Sequence, residues 1–190
     1  DPEDSAGDLE ERIVSMVRSV KAQVEIPIAV KLSPFFSSLV HFARRLETAG
    51  ADGLILFNRF YLPDINVEEL EVEQSLPLSR PRELSLRLLW LSIVSASFRG
   101  SLAASGGVHH SIGALKAVMC GAHAVQVVST LLLDGPGKLT ELRDGLAQWL
   151  EEHEYDSLAQ AHASMSLEHC PDPRVFERSN YIRIVGSWGR

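Results

Sequence analysis

This 190-residue sequence lacks long apolar runs, an excess of positive charge and a cysteine framework. No stretch is long enough to cross a bilayer, so no membrane association is expected. Lys and Arg number 18 against 25 Asp and Glu, for a formal charge of −7 and a pI near 5.5. That balance argues against a nucleic-acid or anionic-membrane partner. The two cysteines, Cys120 and Cys170, are too few for a disulfide framework and read as reduced thiols of a cytoplasmic protein. No CxxC, P-loop, GxGxxG or Ser-His-Asp order occurs. The opening Asp1-Pro-Glu-Asp4 has neither the basic region nor the apolar core of a signal peptide. It also lacks a methionine, which suggests a processed, trimmed or incomplete chain. No low-complexity segment or linker interrupts the chain, so residues 1–190 read as a single domain large enough to hold a core.

What is present is a succession of βα units. Asp8 to Ala22 is predicted as a helix, with Asp8 as cap, Glu11 completing a capping-box-like pair, and Leu9, Ile13, Met16, Val17 and Val20 on one apolar face. Ile26 to Leu32 reads as a strand buried on both faces. Helices are expected at Ser37–Ala49, from Pro81 to about Ser97, at Ser111–Cys120 and at Lys138–Glu152; further strands are expected at Asp52–Asn58, Ser101–Ser105 and His123–Val128. Ala49-Gly-Ala-Asp-Gly-Leu-Ile-Leu56 and Cys120-Gly-Ala-His-Ala-Val-Gln-Val127 look like two copies of one helix–Gly–strand joint. Arg59 to Arg80, with Pro63, Pro77 and an acidic cluster, breaks the rhythm and reads as an excursion over the carboxyl face of the sheet. A short helix near Ser157–Ser164 begins a helical extension. The tail carrying Phe176, Tyr181, Ile182, Ile184 and Trp188 is expected to pack back on the surface or on a second chain. The fold class is therefore α/β, of (β/α)8 TIM-barrel type with about four βα units present. Its strand edges would need cover from other chain, a partner copy or a further half-barrel.

The glycine pair Gly106-Gly107 stands between a strand and a helix, beside a strand that ends in Val128-Ser129-Thr130. Glycine lets backbone N–H groups approach an anion closely, so two such strand ends side by side suit a phosphate; a plain tight turn is the other reading. Lys31 lies at a strand's carboxyl end, where it faces an anion or snorkels to solvent. Asn58, in the equivalent place, suits a planar polar ligand or a turn. His109 and His110 lack a third partner at ligand spacing, so capping or surface roles rank before metal; the other histidines form no cluster. Cys120 reads as core, and the carboxylate runs as solvated faces.

Together, Val30-Lys-Leu-Ser-Pro34, Phe57-Asn58, Ser105-Gly-Gly-Val108 and Gln126-Val-Val-Ser-Thr-Leu131 resemble the carboxyl-terminal half of the dihydroorotate dehydrogenase barrel, in order and interval. Leu133-Asp-Gly-Pro136 and Glu152 to Leu158 extend the likeness. The excursion from Asn58 to Asp64 and the tail motifs look like the branch termed dihydroorotate dehydrogenase-like, whose members need not use dihydroorotate. The resemblance implies FMN-dependent oxidation of a CH–CH bond in pyrimidine biosynthesis and a small-molecule substrate. Lys31 would lie against the flavin pyrimidine edge, Phe57 would touch flavin through its backbone, and Asn58 would hydrogen-bond the substrate. Gly106, Gly107, Val128 and Ser129 would offer N–H groups to the FMN phosphate.

Two positions depart from the family pattern. Val128 stands where the family usually has glycine, and Arg59 stands where it has a small residue, on the orotate side of the pocket. The family's general base, a cysteine or serine, precedes the strand that carries Lys31, so no catalytic residue is assigned and no metal is expected. Two other readings stand beside the flavoenzyme: a non-catalytic phosphate-binding half-barrel that needs a partner, whether a homodimer mate or an amino-terminal half, and an isomerase or aldolase barrel with Lys31 in another role.

Overall fold

The computed structural model describes residues 3–74, 76–176 and 178–187. Its frame is a four-stranded parallel sheet of β1 (Ala29–Leu32), β2 (Gly53–Leu56), β5 (Ser101–Ser105) and β6 (Ala124–Gln126), in that spatial order. Between them the chain forms α1 (Ala6–Lys21, before β1), α2 (Leu39–Thr48), a hairpin of β3 (Asp64–Asn66) and β4 (Glu71–Glu73), α3 (Leu84–Ser95) behind a 3-10 turn at Pro81–Glu83, and α4 (Ser111–Met119). After β6 come α5 (Ser129–Asp134), α6 (Gly137–Glu152), α7 (Leu158–Ala161), a 3-10 turn at Pro173–Phe176 and α8 (Arg178–Val185). Register runs Ala29 to Gly53 to Ser101 and Ala103 to Ala124, so the carboxyl ends of all four strands gather on one side. The sheet curves enough for Lys31 Nζ, on the first strand, to reach Gln126 Oε1, on the last, at 3.3 Å.

The core lies between the sheet and α2 and α3. Phe42, Leu46, Leu54, Leu56, Leu91 and Leu102 are all buried there, each contributing on the order of 2 kcal/mol by removal from water. The two repeated joints are real. Gly50 and Gly121 adopt φ +101° and +108°, which glycine alone reaches without strain, and each ends its helix. The next residues, Ala51 and Ala122, are buried and return N–H bonds to Leu46 and Ala117. Asp52 then holds Lys21 Nζ at 2.6 Å and the Ile28 N–H at 2.8 Å, tying the end of α1 and the entry to β1 to the start of β2.

Several expectations shift. α1 begins at Ala6, because the Ser5 hydroxyl takes the Asp8 N–H and Asp8 returns the bond to the Ser5 N–H; Asp8 is the third helical residue and not the cap. Its buried stripe is Val14 and Val17, while Leu9, Met16 and Val20 are exposed. Glu11 binds Arg18 and Arg45 instead of closing a capping box. β1 is not buried on both faces: it is an edge strand, paired only with β2 among the described residues, and Lys31 is exposed. β6 covers only Ala124–Gln126, since Ser129 and Thr130 belong to a short helix that departs from the sheet. On α6 only Leu142 is buried, and Leu139 stands in solvent. In the tail Phe176 is half-buried, but Tyr181 and Ile182 are exposed and so are not packed on this chain's surface, and Trp188 lies outside the described residues. His123 and His162 form a tilted ring pair at 4.3 Å, a contact that 39 residues of separation hides. Burial and then the His162 charge lower the His123 pKa, and its Nδ1 accepts the Leu102 N–H. Among the described residues, no helix is long and apolar enough to cross a membrane.

Candidate functional site

At the carboxyl ends of the four strands lies a cavity of about 320 Å3, within the range of small-ligand pockets. Six of the seven residues singled out from the sequence line it: Lys31 from β1, Phe57 and Asn58 after β2, Gly106 after β5, and Val128 and Ser129 at the junction of β6 and α5. Strand ends supply these groups because side chains there escape the sheet's own packing while the ladder fixes their positions. Phe57 is buried, and its N–H reaches the Ser105 carbonyl at 3.3 Å. The Asn58 N–H donates to the Leu32 carbonyl, and its Oδ1 accepts the Arg59 N–H, while the residue lines the cavity.

The glycine pair turns as expected, with φ +89° and +84°, and each glycine is enforced by a neighbour. A Cβ on Gly106 would lie 3.1 Å from Arg87 Nη2, and one on Gly107 would lie 2.5 Å from the Leu84 backbone nitrogen. Gly107 stands one step behind the lining. Its N–H donates to Ser79 Oγ at 3.2 Å, and Ser79 in turn donates from both N–H and hydroxyl to Ser129 Oγ at 2.9 Å. The two loops of the expected cradle are thus joined, through a serine at the end of the excursion. His109 Nε2 donates to the Ser79 carbonyl at 2.8 Å, so His109 is buried and holds a loop; it has no surface role. His110 occupies the N-cap position of α4 without a side-chain cap bond. Cys120 is buried, and burial pushes its thiol pKa up, which fits packing and not nucleophilic attack.

Sequence reasoning passed over Ser79, Arg87 and Gln126. Arg87 carried a signal: it is the one cation in Leu84-Ser-Leu-Arg-Leu-Leu-Trp-Leu91, an otherwise apolar helical stretch. It is 3% exposed, donates to the carbonyls of Ser105 and Glu83, and lies 3.9 Å from the Glu83 carboxylate. Arg59 does not project a free cation into the cavity. Its guanidinium pairs with Glu83 and donates to the Pro77 carbonyl, latching the excursion to the 3-10 turn. Lys31, Arg59 and Arg87 all line the cavity, and among the described residues no carboxylate does. Glu83 offsets part of this charge from behind the lining, and in a chain of formal charge −7 the lining still carries a local excess of positive charge.

A parallel βα sheet with a cationic, glycine-turned pocket at its strand carboxyl ends defines part of a barrel-type α/β protein. The sequence model for dihydroorotate dehydrogenase matches residues 4–150, and the chain belongs to that family. It is 30% identical over 143 residues to the catalytic subunit of dihydroorotate dehydrogenase B (NAD(+)) from Trichlorobacter lovleyi, covering 73% of this chain and 46% of that protein. It is 28% identical over 166 residues to the same subunit from Porphyromonas gingivalis, covering 84% of this chain and 52% of the other. The chain therefore spans about half the length of these curated relatives. The fold is shared with ligand-free DHODH from Eimeria tenella, at a TM-score of 0.66 and 19% identity over 85% of this chain and 51% of that one. The same protein in complex with ferulenol gives a TM-score of 0.64, with 85% and 49% covered.

Proposed function

We propose that this chain is the FMN-binding, carboxyl-terminal half of an oxidoreductase that acts on a CH–CH bond, as dihydroorotate dehydrogenases do. The observation that carries the reading is the convergence of Lys31, Phe57, Asn58, Gly106 and Ser129 on one cavity that holds three cations and no carboxylate. The residues fit a phosphate-bearing, planar cofactor. Gly106, Val128 and Ser129 offer N–H and hydroxyl donors at one end, with Gly107 held behind them on Ser79, and the buried Phe57 and the apolar Leu76 and Leu132 border the rest. When bound, FMN supplies the hydride acceptor. Lys31, steadied by Gln126 at 3.3 Å, places a positive charge at the mouth, where it stabilises negative charge that develops on a ring. Asn58 keeps its NH2 for a substrate carbonyl or carboxylate. The described lining contains no carboxylate, cysteine or histidine, and of its serines Ser79 and Ser129 are bonded to each other, so we assign the proton step to a base outside this set, where the family pattern has it. The ion pair with Glu83 ties Arg59 up, so an acidic substrate is met by Lys31 and Asn58 and not by a free guanidinium. The buried free cysteines suit a reducing, cytoplasmic setting.

Titration of the purified chain with FMN, followed by flavin fluorescence, tests the reading. Saturable quenching with a red-shifted absorption band is expected, and no change at high protein concentration overturns it. A second reading, a flavin- or phosphate-binding half-barrel without catalysis, is favoured by the open edges of β1 and β6, each paired on one side only among the described residues. It predicts bound FMN that dihydroorotate does not reduce until a complementary half-barrel is added.

A further inference from the structure

The cation of Arg87 is buried without a full counter-charge. Two guanidinium groups, those of Arg59 and Arg87, share the single Glu83 carboxylate, and Arg59 takes the closer share. One positive charge is left over directly beneath the glycine pair. Burial lowers the Arg87 pKa, as expected for a cation removed from water, yet an arginine stays protonated at neutral pH. A buried, incompletely paired charge is costly unless something of opposite sign sits close by. On the cavity side Arg87 meets the neutral Ser105–Gly106 peptide, and the other lining residues between the glycine turn and α5, Ser79 and Ser129, are neutral as well. No carboxylate among the described lining residues is available to balance it.

We propose that Arg87 is a positioning residue for an anionic phosphate, acting through the Ser105–Gly106 peptide. Its Nε donates to the Ser105 carbonyl at 3.0 Å, and that carbonyl belongs to the same peptide unit as the Gly106 N–H. A charged donor on the carbonyl draws electron density from the amide and strengthens the N–H on the other side as a donor. The geometry also suits glycine at position 106: φ is +89°, and a Cβ would stand 3.1 Å from Nη2, tight enough to press the guanidinium away from the peptide. Arg87 thus does two things at once, fixing the turn and adding charge to its open face. The ligand class that follows is a phosphate monoester dianion, which the neutral body of the ligand alone cannot replace. The inference rests on the phosphate-binding reading above.

The test compares FMN with riboflavin, which lacks the phosphate, on the whole 190-residue chain. Wild type should prefer FMN. In R87Q, which keeps a neutral donor, FMN affinity should fall about 10- to 100-fold, the loss expected of a charge-assisted hydrogen bond, with riboflavin binding within about threefold of wild type. R87K should retain most of the preference. E83Q, which removes the shared counter-charge, should tighten FMN by about threefold and leave riboflavin alone. Equal losses for FMN and riboflavin in R87Q would make Arg87 a scaffold residue and overturn the inference, while the flavin reading stands. A wild type that binds both flavins equally well, or neither, overturns the phosphate reading and the inference with it. If R87Q fails to fold by circular dichroism, E83Q decides, and an unchanged FMN-to-riboflavin ratio in that variant overturns the proposal.

Discussion

The joints at Gly50 and Gly121 are built alike, yet the strands they feed end differently. At the amino ends of β2 and β6 the same left-handed glycine, the same buried alanine and the same returning N–H bond recur. At the carboxyl ends β2 runs into Phe57, buried and bonded to Ser105, and then into Asn58 and the latched Arg59. β6 instead opens into Val128, which is 65% exposed, and the short helix α5. The repeat serves folding on one side of the sheet, and the divergence shapes the cavity on the other. Conserved geometry below with variable groups above is how a barrel unit supports different ligands.

The sharpest way to break the lower half is at its glycines. A Cβ on Gly121 would meet Ser95 Cβ at 2.4 Å while also holding φ +108°, whereas on Gly50 it would meet Lys21 Cγ, a movable side chain, at 2.9 Å. G121A is therefore expected to cost about 3 kcal/mol and G50A about 1–2 kcal/mol, read as denaturant midpoints at unchanged m-value. Equal costs would show that the two joints are not distinguished by their surroundings. The upper half is broken by ligand binding. G107A drives a Cβ against the Leu84 backbone, while G106A presses only on the end of Arg87, so FMN affinity should fall about 100-fold in G107A and about tenfold in G106A. The reverse order in a fluorescence titration would mean that the backbone contact at Leu84 does not hold the loop.

The smallest effect concerns pH and the lower half. The hydrogen bond from Lys21 first, and that from the Ile28 N–H second, hold the Asp52 carboxyl below the ordinary value of 3.8. A depressed folded pKa favours the folded form wherever the group is ionised. The contribution is therefore complete above the unfolded value and fades as pH falls through the folded one. Thermal melts of wild type should drop on acidification below about pH 4, and D52N should melt lower at neutral pH but show a shallower acid slope. A D52N slope equal to that of wild type would place the acid sensitivity elsewhere.

Local pattern was enough for the elements and for most of the site. The apolar runs at Val30, Leu54 and Leu102, the capping glycines and the glycine pair act through neighbours within a few residues, so their signal lies in the chain itself. The excursion was legible as an irregular segment, because Pro63, Pro77 and the exposed Glu68, Glu69, Glu71 and Glu73 cannot belong to a buried strand; the pairing of β3 with β4 within it comes from the structure. What escaped were groups whose meaning depends on a partner far along the chain. Ser79 bridges Gly107 and Ser129, His109 supports Ser79 from 30 residues away, and His123 meets His162. The shift of the α1 cap to Ser5 was a local matter, decided by the reciprocal bonds between Ser5 and Asp8 three residues apart.

The sequence by itself determined a run of βα units with glycine-turned joints and a set of polar groups at four strand ends. Periodicity and glycine conformation are properties of short segments, and short segments settle them. Only the tertiary structure decided that Lys31 and Gln126 meet across a curved sheet, that Arg59 is spent on Glu83, and that Arg87 lies buried under Gly106. Electrostatic roles of this kind depend on which charges share a desolvated space. That is set by packing between elements and not by the order in which the residues are strung.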